Sequence, residues 1–402
     1  SFTGAFSAAQ QRGAITSPLT RGPMPFTNRL EEGRSEGVFF IGNYIADVVI
    51  DGSPYLGFGR LESDLEAGWL GLSHSVRGGL EFRREWNSGP GYQYDILYPP
   101  QVSFNGIRGF DRPRSFDDIP PLVTSALYAD DRLSRSLGRD FLLTVQAGVR
   151  LDLLHDGGHW LSGVRDAALQ PRITLELSPR RWIRFRAGYG HVAKTPPLGQ
   201  LYPALQWFDV VNVNWFTDEP EERLAVITTF RENPANPDLG FSISRKAEAG
   251  AEIGFGRSAV TIVAFHDRLT DGIGIRGTPS FLLRDHYDFV DSTRGTGVPP
   301  EIVEPASYAD TVPILIDRPD NMVTATSRGI EITALLPEIP YLRTRLHVTG
   351  QWIETRQTTD ALYFGSQWAF QDFALLRNKS RAPYWGGITA LGRRTLVTYR
   401  LI

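Results

Sequence analysis

Apolar and polar side chains alternate with a period of two over most of this chain. Phe141, Leu143, Val145, Ala147, Val149 and Leu151 share one face, and Thr144, Gln146, Gly148, Arg150 and Asp152 share the other. Successive side chains of an extended strand point to opposite faces, so the pattern predicts a β-strand with one apolar side. Ile173, Leu175 and Leu177 then oppose Arg172, Thr174 and Glu176. After a Ser-Pro-Arg turn, Ile183, Phe185, Ala187 and Tyr189 oppose Arg184, Arg186, Gly188 and Gly190. An earlier hairpin is equally regular. Leu61, Leu65, Ala67 and Trp69 oppose Glu62, Asp64, Glu66 and Gly68, and on its companion His74, Val76, Gly78, Leu80, Phe82 and Trp86 oppose Ser75, Arg77, Gly79, Glu81, Arg83 and Glu85.

The remaining elements are read around these. The opening to about Ser35 is loop and poorly defined strand, and Val38 to Ile50 is a strand ended by Asp51-Gly52-Ser53-Pro54. Asn87 to Pro121 is loop; Leu122 to Leu133 is a strand or the start of a helix. Lys246 to Phe255 and Ala259 to Arg268 are strands, as are Thr326 to Leu335 and the run around Leu342 to Trp352. Tyr202 to about Ser244, Leu269 to about Val323, and Thr355 to about Pro383 are irregular. Tyr384 to Leu391, a Gly-Arg-Arg turn and Thr395 to Ile402 form a last hairpin. That makes about thirteen strands.

The connectors choose between solvents. From Leu61 onward, tight turns of roughly three to six residues alternate with loops of about fifteen to fifty-five, which compact soluble domains seldom tolerate. Outer-membrane barrels have this asymmetry, with short periplasmic turns and long extracellular loops. The strands are about ten residues long, enough to cross a bilayer at a tilt. Phe82, Trp86, Phe141, Trp182, Tyr189, Phe255, Tyr341 and Trp352 sit near strand ends, where an interfacial girdle would lie. The expected fold is therefore all-β: a transmembrane antiparallel β-barrel whose apolar face meets lipid. Arg77, Glu81, Arg83, Arg150, Arg184, Arg186, Glu248, Glu252, Arg343 and Arg345 then face a wet lumen, for ion pairing between strands and with a plug, or for substrate binding.

Composition agrees. The 402 residues include 40 glycines, 27 prolines and 11% aromatics, which suits a β-rich, turn-rich protein. A net charge of −3 argues against a general nucleic-acid or anionic-membrane surface, and the lack of cysteine excludes disulfides and thiolate metal sites. No apolar run is long enough for a transmembrane helix, and the first residues lack the pattern of a signal peptide.

Several segments also resemble a known family. Leu143 to Asp152 (LTVQAGVRLD) looks like the "aGvRyD" strand of TonB-dependent outer-membrane receptors. FRAGYGHVAKTPPLGQLYP (Phe185 to Pro203) resembles their Gly-Tyr-Gly strand end leading to Lys/Arg-x-Pro and Leu-Tyr. NPDLGFSISRKAEAGAEIGF (Asn236 to Phe255) resembles "NPDLkPE", with Glu248 and Glu252 in acidic positions, and TSRGIEITAL (Thr326 to Leu335) resembles the "s.GiEl" strand. The resemblance implies a bacterial outer-membrane receptor importing a scarce nutrient such as siderophore-iron, cobalamin or an oligosaccharide. A periplasmic TonB partner would act through a plug domain. No plug or TonB box is recognisable, so residues 1–402 read as a fragment of a barrel that closes with about twenty-two strands.

Other chemistry is thin. Gly272 to Gly277 matches GxGxxG, but the Thr-Pro-Ser after it starts no helix, so a dinucleotide site is not expected. His155 and His159 are spaced for a helical metal pair, yet two glycines separate them. Asn378-Lys379-Ser380 is a glycosylation sequon without meaning in a bacterial protein. No catalytic set, cofactor or metal site is expected, and hence no enzyme. Tyr202, Trp207, Phe208, Trp215 and Phe216 are candidates for stacking a ligand on an extracellular loop; the alternative is a self-packed loop covering the barrel mouth. A passive porin is the other functional reading, followed by an outer-membrane enzyme and a soluble carbohydrate-binding β protein.

Overall fold

The computed structural model describes residues 1–402 apart from 28, 70, 101–111, 159–162, 291–294, 339–340, 342–345, 360–387 and 402; for 20–21, 40–41 and 388–401 it describes the backbone alone. Fifteen strands form one antiparallel sheet. The strands are β1 (Phe2–Ala8), β2 (Gln11–Phe26), β3 (Gly33–Trp69), β4 (Leu72–Tyr94), β5 (Leu122–Ser136), β6 (Leu142–His155), β7 (Val164–Arg180) and β8 (Ile183–Lys194). They continue with β9 (Gln206–Trp215), β10 (Leu224–Glu232), β11 (Ser242–Phe255), β12 (Ser258–His286), β15 (Tyr308–Leu335), β16 (Leu346–Thr359) and β17 (Ile388–Leu401). A two-stranded ribbon of β13 (Phe289–Val290) and β14 (Glu301–Ile302) caps the β12–β15 arm. Sequence neighbours are sheet neighbours along most of the wall; β8 pairs with β11 and β12 with β15 across excursions, and β10 returns to β3.

Register explains which face is which. Leu61, Leu80, Leu127, Leu151 and Leu169 lie side by side across β3 to β7. Four of them are exposed, at 57%, 52%, 56% and 59% for Leu61, Leu80, Leu127 and Leu169. Among the described residues no second protein layer covers this face. Phe185, Ile262, Ile330, Ile332 and Trp352 continue it and are also exposed. So large an apolar surface, with every strand hydrogen-bonded to its neighbours, is what a membrane β-wall requires. Among the described residues no helix is long and apolar enough to cross a membrane.

The buried residues gather elsewhere. Three apolar clusters lie at the loop end of the sheet: Leu122, Leu154, Ala168, Leu201, Leu239 and Phe241; Phe208, Val210, Leu282, Val312 and Ile314; and Val213, Leu224 and Val226.

Several boundaries differ from the sequence reading. Residues 2–26, expected as loop and poorly defined strand, are β1 and β2, both paired with β3. β3 does not end at Asp51-Gly52-Ser53-Pro54; a bulge between Asp51 and Ser53 absorbs the irregularity and the strand continues. β4 runs on to Tyr94, and Leu122 to Leu133 is strand rather than helix. Of the irregular segment from Tyr202 to Ser244, much is the hairpin β9–β10; of that from Leu269 to Val323, most is the paired arm of β12 and β15. The last hairpin is instead the single strand β17, which runs through Gly392 alongside β16.

Candidate ligand face and its roof

The polar face of β3 to β7 is a lattice of ion pairs. Arg77 Nε donates to Asp64 at 2.8 Å, and Arg60 Nη2 lies 2.6 Å from Glu81. Arg150 bridges Glu81 at 2.5 Å and Asp152 at 2.7 Å, while Arg172 reaches Asp130 at 2.9 Å. Tyr128 donates to Glu62 at 2.6 Å. All of these groups but Asp64 and Asp152 line a cleft of ≈ 220 Å³, and a second of ≈ 280 Å³ lies beside it, reaching Asp152, Lys194, Thr195 and Phe241. Charges of both signs alternate across the strands, so the lattice fixes the wall without selecting one sign of solute. Among the described residues no group of acids and histidines could hold a metal.

The residues singled out from the pattern divide accordingly. Arg77, Glu81 and Arg150 belong to the lattice, Arg83 pairs with Glu85 at 2.6 Å, and Arg184 with Glu176 at 3.3 Å. Arg186, Glu248 and Glu252 lie on the same face of β8 and β11 without ion pairs among the described residues. Arg343 and Arg345 lie outside the described residues. The pattern missed Arg60, Glu62, Asp64, Tyr128, Asp130, Asp152 and Arg172 as lattice members. The signal was available, because each occupies the charged parity of its strand.

Above the lattice, a clamp ties the β8–β11 excursion to the wall. β7 and β8 pair only as far as Arg172 and Gly190, so the upper part of β7 has no β8 partner. Residues 236–241 take its place. Arg165 Nε donates to the Leu239 carbonyl at 3.1 Å, and its Nη2 to the Asn236 carbonyl. Asp166 accepts from the Phe241 N–H at 2.6 Å, and Asn321 accepts from the Gly240 N–H at 2.8 Å. Asn236 donates to the Pro319 carbonyl at 3.0 Å. Leu239 and Phe241 then fill the cluster of Leu122, Leu154 and Ala168.

The hairpin β9–β10 forms a roof. Its excursion leaves the wall at β8, yet β10 pairs with β3 from Ala225↔Gly37 to Thr229↔Gly33, five neighbours away along the sheet. On its other side, Phe208 and Val210 pack on Leu282, Val312 and Ile314 of the β12–β15 arm, and Gln206 exchanges hydrogen bonds with the Asp317 backbone. A buried ion pair holds the centre. Arg112 Nη2 donates to both Asp209 oxygens at 3.0 Å, and Thr229 donates to Asp209 at 2.9 Å. Burial pushes the Asp209 carboxyl above its ordinary value, against the opposing pull of Arg112 and Thr229.

Four of the five loop aromatics fall on this roof, and Tyr202 lies just before it, against the cluster that the clamp fills. Trp207 and Phe208 are buried; Trp207 lies beneath the Arg112 and Arg231 guanidinium groups and Phe208 is in the β12–β15 cluster. Tyr202 is half-buried beside Leu201, and burial raises its phenol. Trp215 meets Phe289 edge-on at 4.8 Å. Phe216 meets Phe39 edge-on at 5.4 Å under Arg223, and is more open than the others. His155 ends β6 with Nε2 2.8 Å from Ser125 Oγ; His159 lies outside the described residues.

A sheet of tilted-strand length with an apolar open face, a charged inner face and a folded cover at one end defines a transmembrane β-barrel wall. Residues 4–398 match the family model of the TonB dependent receptor-like β-barrel, and the chain belongs to that family. The family that the four quoted segments resemble is therefore the right one. No curated protein matches the chain. Similar solved structures include the siderophore receptor PirA from Acinetobacter baumannii (13% identity, 81% of this chain and 47% of that one, TM-score 0.47). A ferric enterobactin receptor mutant from Pseudomonas aeruginosa (PfeA) in complex with enterobactin has 16% identity, covering 88% and 45%, with a TM-score of 0.45. Siderophore receptor PirA from P. aeruginosa has 16% identity, covering 89% and 53%, with a TM-score of 0.43. The chain spans about half the length of these receptors.

Proposed function

We propose that this chain is part of the barrel of a bacterial outer-membrane receptor that imports a small-molecule nutrient by energy-coupled transport. In this reading the ligand is met at the loop end and a periplasmic TonB partner acts through a plug domain. No covalent bond is made or broken. Residues 1–402 supply wall and loops, and the plug belongs to another part of the protein.

The observation that carries this reading over a passive pore is the roof: a hairpin leaving at β8 and fastened at β3 lies over the end of the wall. A diffusion pore works best with an open mouth, whereas a receptor needs a folded surface that recognises its cargo and a driven step that releases it. In this reading Tyr202, Trp215 and Phe216 offer ring surface to a ligand there. The receptors named above bind siderophores, so ferric siderophores lead the candidate cargoes, with cobalamin, oligosaccharides and peptides behind them.

Growth and radiolabel uptake in a strain lacking the intact gene test this. Loss of uptake of one nutrient on deletion, and equal loss when the inner-membrane proton gradient is collapsed, are the expected results. Uptake that survives collapse of the gradient makes the protein a passive channel.

A further inference from the structure

The open face of the wall is not apolar to its full height. On β11, β12, β15 and β16 it carries in-register rows. Ala249, Ala264, Ile330 and Trp352 form one row, and Ala251, Ile262 and Ile332 the row nearer the short turns. One step toward the loops, His266 stands opposite Arg328. One step further, Arg245 stands opposite Arg268, and Arg268 and Arg356 flank Thr326. Pairing across these strands shows no register shift below Leu269, so all these side chains share the lipid-side face. All five basic residues are exposed.

Arg328 has a counter-charge, Glu354 at 3.3 Å. Arg245, Arg268 and Arg356 have no ion pair among the described residues. Like charges directly opposite one another in a sheet repel. The three sit about ten residues above the short turns, the length that carries a tilted strand across the hydrocarbon. That is headgroup level. The patch is also denser than the face elsewhere: on β4 to β7 Phe82, Ser125, Leu153 and Ala167 lie in register and uncharged, and one step further toward the loops Arg84 stands opposite Val123. A general headgroup preference would ring the whole wall.

We propose that Arg245, Arg268 and Arg356, flanked by Arg328 and His266, form an external docking site for the phosphate-bearing headgroup of a membrane lipid. Guanidinium forks match phosphate oxygens two at a time, and the apolar rows beneath receive the acyl chains. The site rests on the membrane-wall reading above, and its test separates the two.

The intact protein is reconstituted in nanodiscs containing a phosphorylated disaccharide glycolipid or its dephosphorylated form, then washed in detergent, and retained glycolipid is counted by native mass spectrometry. The wild-type protein retains the phosphorylated form preferentially. Each of Arg245→Gln, Arg268→Gln and Arg356→Gln lowers retention about fivefold. Inorganic phosphate at matched concentration displaces little of it. Equal retention of the two glycolipids, an unaffected triple variant, or full displacement by inorganic phosphate overturns the site. The chain has no cysteine, so a spin label on Ala264→Cys reports one position. A label in hydrocarbon confirms the wall whatever the glycolipid result, and a label in water overturns the wall and the site together.

Discussion

Arg284 on β12 and Asp310 on β15 face each other across the arm beyond the bilayer, joined by two charge-assisted hydrogen bonds of 2.8 and 2.5 Å. The bonds from Arg284 hold the Asp310 carboxyl down to about 2, against the effect of burial and with help from His286 at 3.2 Å. An unfolded aspartate titrates near ~3.9. The folded value is the lower one, so the stabilisation is complete above about pH 4 and lost as pH falls through about 2. Amide exchange in residues 273–286 should therefore be flat from neutrality to about pH 4, after correction for intrinsic rates, and accelerate below it. Asp310→Asn should abolish that acid-dependent step.

Asp209 should behave in the opposite sense. Its carboxyl is raised by burial, so the charged form is the costly one, and its contribution falls as pH rises through the folded value rather than as pH drops. Acidification should leave protection of β9 and β10 intact while the β12–β15 arm opens. Removing one partner of a buried pair strands the other, at about 3–5 kcal/mol. Asp209→Ala should thus expose the hairpin to protease with the wall still folded, and equal protection of variant and wild type would contradict the bracing role.

Leu175 points out from the middle of β7, and Thr174 beside it points in. Leu175→Arg should cost roughly 2–4 kcal/mol in a bilayer, the range for arginine at the midplane of a membrane barrel. Thr174→Arg should cost far less. Reversible unfolding in lipid vesicles measures both, and equal costs would place the apolar face in some other surroundings.

Gly240 closes the clamp because a Cβ there would run into the Asp166 carboxylate. Gly240→Ala should push that carboxylate off the Phe241 N–H and loosen residues 195–241, read as faster proteolytic nicking in that stretch. Asp166→Ala should loosen it comparably, and the double variant should add little, since both act on one contact.

How far the residues announced this architecture depends on the neighbours each strand keeps. Ile173 and Leu175 alternate with charges because β7 has water on one side and lipid on the other, and that contrast is written into every wall strand. The β12–β15 arm was hidden by Pro279, Pro313 and Pro319, which argue against a paired strand. They are tolerated because β12 has lost β11 as a neighbour beyond Thr270, and β15 does not meet β16 until Val323, so a missing N–H can face an open edge on either strand. The roof was hidden differently. Trp207 to Val213 and Leu224 to Phe230 carry β-forming runs, but both faces are covered, so no alternation marks them. Tyr128 and Asp130 were overlooked because β5 was split between strand and helix.

The seam between β10 and β3 also orders the birth of the molecule. Arg231 and Glu32, joined across it, are 199 positions apart, and the whole of β4 to β8 lies along the chain between them. Contacts so distant along the chain form slowly and late. The cover is accordingly the part of the molecule to settle after the locally paired staves of β4 to β8.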